Sequence, residues 1–84
     1  MSLPRIGYLQ PFDYYIWVEC LDPNLNMTVT RFLLSNLIWT ESTPLVLDHG
    51  LYRSEQEAAE VLDKWKRMRT DEEFAEFIAN CICV

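Results

Sequence analysis

Cys20, His49, Cys81 and Cys83 form a Cys3His set, correct in number and type for a structural zinc site. Their spacing argues against that chemistry. Zinc thiolates typically come as knuckles on turns, roughly two to four residues apart. Cys81 and Cys83 instead flank a single residue in a helical repeat, which points their thiols in divergent directions. Cys20 and Cys81 also fall on apolar stripes, where a thiol behaves as a small hydrophobe. Neither a metal nor a cofactor is expected.

Other chemical patterns fare no better. "CICV" at 81–84 has the cysteine position of a prenylation box, but a single lipid needs basic residues upstream, and Asp71, Glu72, Glu73 and Glu76 stand there instead. Asp22, Asn24 and Asn26 imitate positions 1, 3 and 5 of a calcium loop. Met27 then replaces the required glycine and Leu33 the bidentate glutamate, so "DPNLN" reads as a turn. Asp48 and His49 are adjacent in what reads as a tight turn, where neighbouring side chains diverge. With only Gly7 and Gly50, no phosphate-cradling loop can form. No catalytic residues are assigned, and the chain is not expected to be an enzyme.

The sequence has one basic cluster, "KWKRMR" at 64–69. Lys64, Lys66, Arg67 and Arg69 could hold a phosphate backbone, yet cations in a helix's last turn complement its macrodipole. The net charge of -6 disfavours nucleic acid and anionic lipid as partners. A basic protein surface is the better electrostatic match. Eighty-four residues, half of them hydrophobic, make a single globular domain over 1–84. Three cysteines, an odd number, and the lack of a charged then apolar leader point to a reducing, cytoplasmic setting. No apolar run reaches the roughly 20 residues needed to span a bilayer.

Residues 1–11 hold two of the four prolines and read as an irregular lead-in. From Phe12 to Leu21 the chain alternates as a strand, with Phe12, Tyr14, Ile16, Val18 and Cys20 on one face. Asp13, Tyr15, Trp17, Glu19 and Leu21 take the other. "MTVTRFLL" after the turn reads as the hairpin partner, its β-branched residues outweighing a competing helical spacing. "LIWTE" (37–41) and "LVLD" (45–48) read as a third strand and a fourth.

The period then becomes helical. Ser54 with Glu57, and Thr70 with Glu73, are capping boxes that start two helices within 54–83. Ala58, Val61, Leu62, Trp65 and Met68 make the first apolar stripe, and Phe74, Phe77, Ile78, Cys81 and Ile82 the second. The expected architecture is α+β: a small antiparallel sheet of three to four strands with two C-terminal amphipathic helices packed on one face.

That packing leaves the opposite sheet face to Asp13, Tyr15, Trp17 and Glu19, with Trp39 and Glu41 extending it if the third strand runs in matching register. Aromatics among carboxylates have the composition of a protein-binding patch. The expectation is therefore a non-catalytic protein-binding module with a basic or nucleic-acid-handling partner. Small acidic phage-encoded inhibitors of host nucleic-acid machinery, such as anti-CRISPR proteins, have this general make-up. A structural or homo-oligomerising subunit is the second reading, and a nucleic-acid binder using the basic end of the first helix the third.

Overall fold

The computed structural model describes residues 4–22 and 24–79. Four strands, β1 (Arg5–Gln10), β2 (Asp13–Asp22), β3 (Met27–Leu33) and β4 (Trp39–Thr40), form one antiparallel sheet in the order β1-β2-β3-β4. Three helices follow: α1 (Thr43–His49), α2 (Glu55–Arg67) and α3 (Asp71–Ala79). The class is α+β, as the change of period along the chain implies.

Alternation makes β2 the spine of the fold. Ile16, Val18 and Cys20 are buried on the face that α2 and α3 cover. The turn after β2 is built as its composition suggests. The Asp22 carboxylate accepts from the N–H groups of Asn24 at 2.9 Å and Leu25 at 3.3 Å, and Asn26 takes a φ of 50° that asparagine tolerates. β3 is a strand throughout, so β-branching prevails over the helical spacing.

Over Arg5–Gln10 the lead-in is a strand and not irregular. Pro4 and Pro11 flank β1 instead of interrupting it, which is where an edge strand accepts proline. Ile6 and Tyr8 face inward opposite Ile16 and Tyr14. Gly7 has a packing reason: a Cβ there would run into the ring of Tyr15, which lies across it.

The segment 45–48 is also corrected, from strand to helix α1. Pro44 lies in its first turn, where the missing N–H removes no helical bond. The Asp48, His49, Gly50 stretch is the end of this helix and not a separate tight turn, since the Gly50 N–H bonds the Val46 carbonyl at 2.8 Å. "LIWTE" contracts to the two residues of β4, because Leu37 turns the chain with a φ of 69°.

Tyr52 joins the two halves of the molecule. β1 and β3 each pair with only part of β2, and Tyr52 exchanges both backbone hydrogen bonds with Tyr14, at 2.8 and 2.7 Å. The β2–β3 ladder ends at Trp17 and Phe32, and the carbonyl of the next residue, Leu33, accepts from the Tyr52 hydroxyl at 3.0 Å. Burial pushes that hydroxyl up to about 12, with the charge of Glu57 adding to the effect.

Ser54 caps α2 as expected, its hydroxyl accepting from the Glu57 N–H at 3.1 Å. Ala58, Leu62 and Trp65 are buried and Val61 half-buried, but Met68 is 64% exposed and leaves the stripe, because the helix ends at Arg67. The Thr70–Glu73 box is complete in both directions, each bond 3.1 Å. α3 folds Phe74 and Phe77 onto Trp65, at 6.1 and 4.7 Å between ring centroids. The side chain of Ile78, and Cys81, Ile82 and Cys83 altogether, lie outside the described residues.

Candidate functional site

On the sheet face away from α2 and α3, the pleat of β2 brings together Asp13, Tyr15, Trp17 and Glu19, all half-buried. The hairpin register sets Phe32 directly opposite Trp17 and Thr30 opposite Glu19. Tyr15 meets the edge of Phe32 at 5.7 Å, and the Arg5 guanidinium lies 5.9 Å over the Trp17 ring. These contacts orient the aromatic side chains.

α1 supplies the second wall. Thr43, Val46 and Leu47 recur at helical spacing on one side of it, and with Leu51 and Leu9 they close a groove of about 370 Å³ over Tyr15, Trp17, Thr30 and Phe32. Leu47 is 59% exposed and Leu9 62%, so the rim is open and apolar. The polar side-chain groups among the lining residues are the Thr30, Thr43 and Tyr15 hydroxyls and the Trp17 indole N–H. A surface of this kind buries apolar side chains.

Trp39 and Glu41 do not extend this face. β4 pairs with β3 so that Leu33 lies opposite Trp39, which puts Trp39 on the helix side, 5.4 Å from both Trp65 and Phe77. Glu41 continues the same side and ion-pairs with Arg31 at 3.7 Å. The register across the Leu34–Ile38 turn is one residue out from what a continuous outer face needs, and a shift of one reverses every side chain. A smaller space of about 340 Å³ opens there between Trp39, Trp65, Arg69, Glu73, Glu76 and Phe77. The Trp39 and Trp65 indole N–H groups donate to no acceptor among the described residues.

The remaining candidates are dispersed. Asp22 is engaged in its turn, and Asp48 and His49 are exposed at the end of α1. Among the described residues no group of three His, Cys, Asp or Glu could hold a metal ion. In the basic cluster, Arg67 pairs with Asp63 at 2.6 Å. Arg69 pairs with Glu73 at 3.7 Å and lies 5.6 Å over Trp65. Both arginines thus hold local structure.

Phe32 was legible in principle. A four-residue loop between Asp22 and Met27 makes paired positions sum to 49, which sets Trp17 against Phe32. The contributions of α1 and Leu9 carried no such signal, since both segments read as other elements.

The fold and groove define a small α+β domain with an apolar surface cleft. No protein-family model, curated protein or solved structure matches the chain.

Proposed function

We propose that the chain is a non-catalytic protein-binding module, and that the groove between α1 and the sheet takes apolar side chains of a partner protein. The observation that supports this reading is the groove itself: Tyr15, Trp17 and Phe32 lie half-buried beneath an open apolar rim. Rigid aromatics in a partly desolvated cleft are the groups on which binding energy concentrates. Asp13 and Glu19 stand at the same face, and with a net charge of -6 they favour a partner with a basic surface. Inhibition of a nucleic-acid-handling protein in a cytoplasmic setting is the form this reading takes. Direct nucleic-acid binding is the weaker reading, because Arg67 and Arg69 are committed to Asp63 and Glu73.

The test is affinity capture with mass spectrometry, run in parallel on the wild type, Trp17→Ala, Leu47→Asp and Met68→Ala. Met68 lies outside the groove and serves as the control. A protein with a basic surface should be retained by the wild type and Met68→Ala and lost by at least about 30-fold from each groove variant, the loss of a typical hot spot of about 2 kcal/mol. Trp17→Ala should remain folded, since the ring is only half-buried. The proposal fails if all four chains capture the same proteins, or if Trp17→Ala unfolds and Leu47→Asp binds normally.

A further inference from the structure

β1 is the outer strand of the sheet, and the hydrogen-bond register reveals which of its backbone groups are unused. Tyr14 gives both its N–H and its carbonyl to Tyr52. In antiparallel geometry Tyr14 therefore faces away from β1, and Tyr15 and Trp17 face toward it. Their partners are Gly7 and Arg5, which direct their backbone groups into the sheet. The alternate residues, Ile6 and Tyr8, direct theirs outward, and among the described residues no strand meets them. Such an edge is a template for another strand. No lysine or proline lies within Arg5–Gln10, and the bulge between Tyr8 and Gln10 limits the usable stretch to the residues before it.

We propose that a second copy of this chain adds antiparallel along β1, about a twofold axis at Gly7. In that register Ile6 of each copy exchanges both backbone hydrogen bonds with Tyr8 of the other, so all the outward groups are satisfied together. Shifting the axis onto Ile6 would set Tyr8 against Pro4, which has no N–H to give. Gly7 opposes Gly7, leaving room for the Tyr15 rings that lie across both.

Charge and burial agree with this pairing. Arg5 falls opposite Leu9 of the second copy. One strand further lies that copy's Asp13, which pairs with its Gln10, two strand spacings across and one residue along, or about 10 Å from Arg5 between backbones. The cation of this face thus approaches a carboxylate and not its own twin. Tyr8 and Leu9, 58% and 62% exposed, gain Ile6 and the Arg5 methylenes as neighbours. The edge alone buries less than the roughly 1,200 Å² of a standard interface, so the dimer is reversible and concentration-dependent. Its two grooves lie on the same face of one continuous sheet, which makes the assembly bivalent.

Sedimentation over a wide concentration series tests this on the wild type, Tyr8→Ala and Tyr8→Pro, with amide exchange measured on the wild type. Proline at position 8 removes an outward N–H but no rung of the β1–β2 ladder, whereas alanine removes only the ring. The wild-type mass should rise with concentration from 10.0 kDa toward twice that value, Tyr8→Ala should still associate, and Tyr8→Pro should stay at 10.0 kDa. Exchange at Ile6 and Tyr8 should slow at high concentration.

A wild type that remains a monomer overturns the proposal. So does a Tyr8→Pro chain that dimerises normally, or a Tyr8→Ala chain that loses the dimer as fully as Tyr8→Pro. If Tyr8→Pro does not fold, the exchange measurement decides alone, and Ile6 and Tyr8 amides indifferent to concentration refute it.

Discussion

Replacing Tyr52 with phenylalanine tests the hydrogen bond that ties the start of α2 to the end of β3. The ring is 3% exposed, and its hydroxyl donates to the Leu33 carbonyl at 3.0 Å. Tyr52→Phe keeps the packing and leaves that carbonyl without its donor, a loss of about 1–2 kcal/mol at neutral pH. For a chain of this length that corresponds to a fall in Tm of roughly 5–10 °C. The pH dependence gives a sharper check. The hydroxyl is raised in the fold from 10.0 to about 12, so its contribution is fully present below pH 10 and is lost as pH rises toward 12. Each unit above 10 removes about 1.4 kcal/mol. Urea unfolding of both chains across this range should therefore show the wild type more stable at pH 8, the two curves meeting near pH 11, and the variant more stable beyond. A stability difference that stays constant from pH 8 to alkaline conditions would refute the argument, since Tyr52 would then ionise as freely in the fold as outside it.

Two further changes probe strain and capping. Phe12 is 72% exposed at the β1–β2 turn and holds a φ of 70°, where a side chain is disfavoured, so Phe12→Gly should stabilise the chain by about 0.5–1 kcal/mol even after glycine's greater unfolded-state entropy. A lower Tm for that variant would show that the ring makes a contact worth more than the strain. Glu73 has its carboxyl held below the ordinary value of 4.5, first by the Thr70 N–H, then by the Thr70 hydroxyl, and also by the Arg69 charge. A depressed folded value means that the cap's contribution is present above the unfolded value and fades as pH falls through the folded one. The α3 amide resonances should report fraying in that acidic window in the wild type, and Glu73→Gln should remove this pH step. An identical acid profile for the two chains would count against the cap.

How far the sequence predicted these features depended on whether the signal was local. The two helix starts and the β2 alternation are read within a few residues, and they appear where the pattern places them from Tyr14 onward. Two details differ: Phe12, expected on the buried face, lies in the β1–β2 turn and is exposed, and the Ser54–Glu57 box is seen in one direction only. β1 was hidden because proline and glycine counts describe a segment as irregular without regard to position. Pro4 and Pro11 lie just outside the strand, and Gly7 is inside it to admit the Tyr15 ring. α1 was hidden because four apolar or acidic residues after a proline fit a short strand as well as one helical turn. What decides between them is tertiary: Gly50 closes against Val46 and Leu34, and the helix covers Trp17 and Phe32.

Trp39 illustrates the same division at the level of the site. Its type marks it as an anchor, and a tryptophan anchors either a core or an interface, so composition alone cannot assign its face. The β3–β4 turn decides. Leu34 accepts from the Leu37 N–H at 2.9 Å and donates to the Ile38 carbonyl at 3.0 Å, which fixes Leu33 opposite Trp39. Leu33 is fully buried beneath the helices, so Trp39 follows it inward and meets Trp65 edge-on and Phe77 at a tilt. The tryptophans thereby divide the work. Trp39 and Trp65 hold α2 and α3 onto the sheet, which leaves Trp17, on the face those helices do not cover, as the tryptophan that lines the groove.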